Sequence, residues 1–273
     1  MPFWGDDKEK ILELIKEIEH LYREIEYDEK PELWPQIEPK IHELINKLNK
    51  TSEKTFNTTK EMNDDDLGGY SVSVLLSLVT EAAAKRSPEL GMTIARNATK
   101  MLLGKKEPGG AMDLYLDASK TLVQREMFKP AIEFLNEALS NCEKQAKILR
   151  AQSRDEMKMT ELGPIPWGDY AHLAVQAEGL EEKKHEIANW IFGCQLCIKE
   201  SVSKSNIQPI IDLLRSQGQD HRAAALRILG LFGDENTVGM LKNLKKQEKD
   251  KEIRSLMRDT IDEIDFREDD TED

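Results

Sequence analysis

Cysteine, histidine and carboxylate side chains are the groups best able to do chemistry here, and their spacing decides which chemistry is open. Cys194-Gln195-Leu196-Cys197 is a CxxC pair. As half of a zinc site it needs a second pair at a suitable distance. Cys142 is the one other cysteine, and His172 and His185 are the nearby histidines. As a redox pair it needs a strand–helix setting and a low-pKa thiol at a helix start. It falls instead late in a helical pattern, among Ile187, Ile191, Phe192 and Leu196. Cysteine packs there as a small hydrophobe. Core packing is the favoured reading, with metal and redox roles as the alternatives.

The five histidines are scattered. His20 and His42 belong to the two N-terminal helical patterns and are expected on helix surfaces, although an antiparallel hairpin could bring them face to face. His221 directly precedes Arg222 at a turn and is expected to be exposed. Neighbours such as Glu19 and His20 leave a helix on different faces and need not meet. Asp64-Asp65-Asp66 invites a calcium loop, but the alternate-position oxygens, the glycine and the closing glutamate are out of register. No HExxH, GxGxxG, P-loop or GxSxG pattern is present. No catalytic residue, metal ligand or cofactor is assigned, and a non-enzymatic role is favoured over an enzymatic one.

The elements that must position these groups are helices. In 273 residues, 33% are charged and 6% aromatic, which suits long solvent-washed helices better than a compact α/β core. Prolines and glycines fall at breaks between periodic runs. Ser71-Val72-Ser73-Val74 alternates briefly, then continues into a helical run at Leu75. Of the net charge of −13, most sits at the C-terminus, where residues 259–273 hold nine acids and one base. Such a tail is ordinarily solvated, and docking on a basic partner is its alternative use. With no broad basic face, direct nucleic-acid binding is not expected. No apolar run approaches the length of a membrane span. Pro2-Phe3-Trp4-Gly5 leads straight into charge without a leader pattern, so a soluble, cytoplasmic protein is expected.

The most organised stretch is 207–264. Ile210, Ile211, Leu213 and Leu214 form one apolar stripe, and a polar break follows at 217–220. Ala223, Ala224, Leu226, Ile228 and Leu229 form the next, which stops at Gly230-Leu231-Phe232-Gly233. Asp234 is a natural N-cap. The pattern then restarts with Val238, Leu241 and Leu244, breaks at 249–251, and resumes with Ile253, Leu256, Met257, Ile261 and Ile264. Arg222 and Arg254 occupy matching places 32 positions apart, a period that marks stacked repeats. On Pro209, Asp220, Arg222 and the Ala223-Ala224-x-Leu226-x-x-Leu229-Gly230 run, the stretch resembles the HEAT repeat family, in particular the short HEAT-like repeats of phycobilin lyases. The second copy keeps Arg254 but lacks the proline and the Ala-Ala pair. The resemblance implies stacked helical hairpins in which Asp220, Arg222 and Arg254 tie neighbours together. It says little of function, since such repeats serve many roles.

Upstream, 7–27 and 33–48 carry apolar stripes that predict a helical hairpin, with Pro39 expected to kink or reset the second helix. Packing of the stripes on each other is favoured over a coiled-coil dimerisation element. Residues 51–69 are polar and read as a linker. Residues 70–103 predict two helices divided at Ser87-Pro88, the second ending at Gly104. Residues 111–140 resemble a tetratricopeptide repeat on Tyr115, Ala118, Ser119, Leu122, Ala131, Leu135 and Ala138, with Ser119 and Leu135 replacing the usual glycine and aromatic. Residues 169–202, with Ala188 and Phe192, would be a degenerate second copy. Between them Leu162-Gly163-Pro164-Ile165-Pro166-Trp167 forms a stiff loop, whose Trp167 either plugs the core or anchors a contact.

The expected fold is all-α: an α-solenoid with an N-terminal hairpin (1–50), a linker (51–69), a TPR-like region (70–203), HEAT-like repeats (204–264) and an acidic tail (265–273). The expected function is a protein–protein adaptor or scaffold that binds a protein partner through Trp167, Tyr170, Arg227 and Arg258, the two arginines being expected at exposed positions. The alternative is a lyase or chaperone-like protein that cradles a chromophore or other ligand. Self-association through 7–50 is open.

Overall fold

A computed structural model describes residues 5–60, 71–160, 169–215 and 218–269. Among these residues all regular structure is helical, and no helix is long and apolar enough to cross a membrane. The chain forms two compact units, 1–118 and 119–273. The division falls within helix α6, Pro108–Gln124.

In the first unit α1 (Gly5–Glu26) and α2 (Trp34–Lys50) form the expected hairpin. A 3-10 turn at Pro31–Leu33 joins them. Ile11, Leu14, Ile15, Ile18 and Tyr22 of α1 are buried with Trp34, Ile37, Ile41, Leu44, Ile45 and Leu48 of α2. These residues recur at three- and four-residue steps, so each helix presents one apolar face. Pro39 does not reset α2, which runs unbroken from Trp34 to Lys50: a proline within a helix forfeits one backbone bond, and the buried stripe on either side of it is continuous. The hairpin packs on α4 (Val72–Arg86) and α5 (Pro88–Gly104). Lys85 Nζ meets Glu26 Oε2 at 2.6 Å, and the buried Lys105 ammonium binds the Thr51 carbonyl at the end of α2. The apolar stripes of 7–50 are thus covered within the chain itself. His20 is exposed and pairs with Glu24 on its own helix.

The stretch read as a linker, 51–69, is a helix at its start. Here α3 spans Glu53–Lys60 and buries Phe56 against the hairpin. One apolar residue in a polar run was too weak a signal to predict it. Asp64-Asp65-Asp66 lies outside the described residues. Ser87 caps α5 by accepting from Leu90 N, with Pro88 at the first helical position. Ala84 and Gly91 let α4 and α5 approach closely: a Cβ on Gly91 would lie 2.8 Å from the Ala84 backbone. The turns into α6 and α7 share one geometry. Lys106 and Glu126 each take a positive φ, and the next amide reaches back to the carbonyl of Leu102 or Leu122.

In the second unit α7 (Phe128–Thr160) and α8 (Asp169–Lys199) are long partners, linked by Arg150–Glu181 at 3.3 Å and Lys184–Glu143 at 3.8 Å. The degenerate repeat expected at 169–202 is not there. α8 runs unbroken because its glycines, Gly179 and Gly193, interrupt a helix far less than proline would. Four further helices follow: α9 (Gln208–Leu213), α10 (Gln219–Phe232), α11 (Glu235–Gln247) and α12 (Lys251–Asp269). α10 lies between α8 and α12, with α9 against α10 and α11 against α12. Asp234 caps α11 by accepting from Thr237 N at 2.9 Å, and that bond leads the interactions that hold its carboxyl below the usual range.

Candidate interaction surface

The residues expected to meet a partner fall in different surroundings. Trp167 lies outside the described residues. Tyr170 falls in the first turn of α8, and its side chain is likewise outside them. Arg258 is exposed on α12, 3.3 Å from Asp259 Oδ1 and from Ser255 Oγ. Arg227 is not the exposed side chain that the sequence suggested. It is half-buried on α10, and its Nη1 meets Glu186 Oε1 of α8 at 2.9 Å. Packing of α10 between α8 and α12 covers the flank that carries it.

Arg227 belongs to a charged seam around Gly230. Glu263 of α12 is exposed as a whole, but its carboxylate end lies against Gly230, at the place a Cβ would take. Burial pushes that carboxyl above its usual range. Lys120, Arg227 and Arg267 pull it down, and Glu186 adds to the rise. Arg267 reaches back along the chain to the carbonyls of Gly230 (3.1 Å), Leu231 and Gly233, which a helix C-terminus leaves unsatisfied. A carboxyl with a raised pKa beside cations resembles an acid–base site. Here the guanidinium groups of Arg227 and Arg267 are already engaged, so the seam fastens α8, α10 and α12 together.

A second fastening lies at the opposite end of α10. Arg222 Nη1 binds the Glu248 carboxylate and its Nη2 lies 3.7 Å from Asp250 Oδ2, so it reaches the turn between α11 and α12. Gln219 Nε2 donates to Glu252 Oε2 at 2.6 Å beside it. Burial pushes Glu248 up. Bonds from the Asp250 and Lys249 amides and from Arg222, with the Arg222 charge, outweigh it and leave the carboxyl below its usual range. Arg254, at the matching position, donates to the Lys249 carbonyl of its own hairpin, at 3.4 Å. Asp220 is exposed in the first turn of α10, and His221 is exposed with its ring 4.9 Å from that of Phe192.

Cys142, Cys194 and Cys197 are buried in the core as thiols rather than disulfides. Burial pushes Cys194 and Cys197 up to about 12, Cys194 with a smaller contribution from its neighbour. Almost no thiolate exists at neutral pH, and the thiolate is the reactive form. Among the described residues no three His, Cys, Asp or Glu side chains are grouped to hold a metal.

One surface residue was missed. Phe266 is 70% exposed on α12. It falls out of register with the buried Ile253, Met257, Ile261 and Ile264, and shares the outward face with Asp259 and Asp262. That break in the stripe was visible in the sequence, but the acid-rich composition hid it. No family model matches the chain, and no curated protein matches it significantly.

Proposed function

We propose that the chain is a non-enzymatic, cytoplasmic protein–protein adaptor or scaffold whose helical hairpins, TPR-like at 111–140 and HEAT-like at 207–264, stack as an α-solenoid. The observation that carries this reading is the Arg222 bridge from α10 to Glu248 and Asp250. A side chain at the turn of one hairpin that grips the turn of the next is the kind of nearest-neighbour interaction on which stacked repeats depend. Stacking leaves extended helical faces, and their outward side chains select the partner. Trp167, Tyr170 and Arg258 are the proposed contacts, and Arg227 orders the face through Glu186.

The test is affinity capture from native extract, followed by reconstitution with the purified candidate and titration against Tyr170→Ala and Trp167→Ala. A stoichiometric protein that rebinds the pure chain, and binds either variant more weakly, supports the proposal. Co-purification of a pigment or other small molecule without protein would overturn it in favour of the ligand-cradling alternative.

A further inference from the structure

The outward face of α12 has a composition that calls for a particular occupant. Phe266 stands 70% exposed on it, out of register with the buried stripe of its own helix. An aromatic ring in water forfeits the gain that burial would bring. Around it the face is acidic. Asp262 and Asp259 precede it by about one and two helical turns, and Asp265 adjoins it in the chain. The few bases nearby are engaged: Lys242 is 3.7 Å from Asp265, Arg258 is 3.3 Å from Asp259, and Arg267 is turned to the α10 carbonyls. From residue 259 onward acids outnumber bases nine to one.

We propose that this face docks a basic segment of a protein partner, with a lysine or arginine seated over the Phe266 ring and a further base on Asp262. The proposal rests on the interaction reading above and names the partner's chemistry. Charge complementarity decides the occupant. A second copy of this face would set acid against acid, which repels. A cation over an aromatic ring gains from the ring's negative face, and a neighbouring carboxylate adds to that attraction. An acidic patch alone would draw any base loosely. The ring supplies the fixed point that makes such attraction selective.

The test uses the full chain and two fluorophore-labelled amphipathic peptides, one of lysine and leucine and one of glutamate and leucine, read by anisotropy at physiological salt. The lysine peptide is expected to bind and the glutamate peptide to fail. Phe266→Ser is expected to weaken binding by about tenfold. Asp262→Lys should weaken it, while Glu178→Lys, the same charge change on exposed α8, should leave it nearly unchanged. Equal losses from Asp262→Lys and Glu178→Lys, or no loss from Phe266→Ser, would overturn the proposal. A dimer of the intact chain in sedimentation that Phe266→Ser dissolves would also overturn it, by placing a second copy on this face. Capture of an extract partner equally by the intact chain and by Phe266→Ser would sink this docking site and leave the adaptor reading standing.

Discussion

In the α1–α2 hairpin each helix lends a continuous apolar stripe, and α2 alone buries Trp34, Ile37, Ile41, Leu44, Ile45 and Leu48. In the hairpins beyond 207 the first helix, α9, buries only Ile210. The next helix, α10, has nine buried residues, and polar ties reinforce that packing: Arg222 on Glu248 and Asp250, Arg267 on the carbonyls that close α10, and, midway along the helices, Thr260 Oγ1 within 3.4 Å of the Leu226 carbonyl. A six-residue helix such as α9 buries too little apolar area to set its own register, since burial returns only about 25 cal/mol per Å2. Directional polar ties then fix how one hairpin meets the next. The N-terminal hairpin has area to spare, and the Lys40–Glu17 pair that crosses it is exposed.

The comparison breaks most readily at Leu44, which is fully buried. Leu44→Ala is expected to cost about 2–5 kcal/mol, through lost transfer energy and a cavity. Hydrogen exchange should show the loss in the amides of α1 and α2. A loss below about 1 kcal/mol would mean that the stripe can collapse around the gap, and that the hairpin is not held by area.

Arg222→Met is next, with an expected loss of about 1–3 kcal/mol, because the Glu248 carboxylate would stay partly buried without its cation. Only 16% of the Arg222 side chain is exposed, so solvent screens the pair little. The pH dependence gives a second readout. The folded Glu248 carboxyl lies below its ordinary 4.5, so its contribution is present above that value and lost as pH falls through the lowered one. In Arg222→Met this part of the acid loss should shrink. An unchanged acid limb would detach Glu248 from the tie.

Much of this was legible beforehand. Ser87-Pro88, Gly104 and Asp234 marked helix boundaries because caps and breakers act locally, within a few residues. The apolar stripes marked the buried faces, and the spacing of Arg222 and Arg254 marked a turn. Interactions between residues far apart in sequence were not legible. Arg227 looks like a solvent residue on its own helix, and only the approach of α8 gives it Glu186. Arg267 reads as one base in an acidic tail, yet it closes a helix more than thirty residues earlier. Phe56 and Phe266 each stand alone among polar neighbours. One is buried and the other exposed: Phe266 falls off the α12 stripe, while Phe56 had no stripe of its own to place it.

Glycine sharpens the contrast between the regions. A Cβ on Gly91 would meet the Cα and N of Ala84 at 2.8 Å, so the α4 backbone must move. Gly91→Ala is expected to cost about 1–3 kcal/mol. A Cβ on Gly230 would meet only the end of the Glu263 side chain, which can swing away. There the helix-propensity gain of alanine, up to about 1 kcal/mol, should leave the variant neutral or slightly more stable. Denaturant unfolding of both variants checks the pair. Equal losses would show that the seam around Gly230 is as unyielding as the α4–α5 crossing.

Lys40→Met should have the smallest effect. Lys40 Nζ lies 2.6 Å from Glu17 Oε2, a shorter separation than the 3.7 Å from Arg222 to Asp250. Against the Arg222–Asp250 contact, distance alone would therefore rank the Lys40–Glu17 pair as the stronger. Exposure reverses the order, since about a third of Lys40 and nearly half of Glu17 face water. In that setting the pair gains little Coulomb energy and gives up side-chain freedom, so the expected change is about 0–0.5 kcal/mol. High salt should leave the intact chain and the variant equally stable in this hairpin, because little remains to be screened. A loss from Lys40→Met as large as that from Arg222→Met would overturn the distinction, and would make the α1–α2 hairpin another structure fastened by charge.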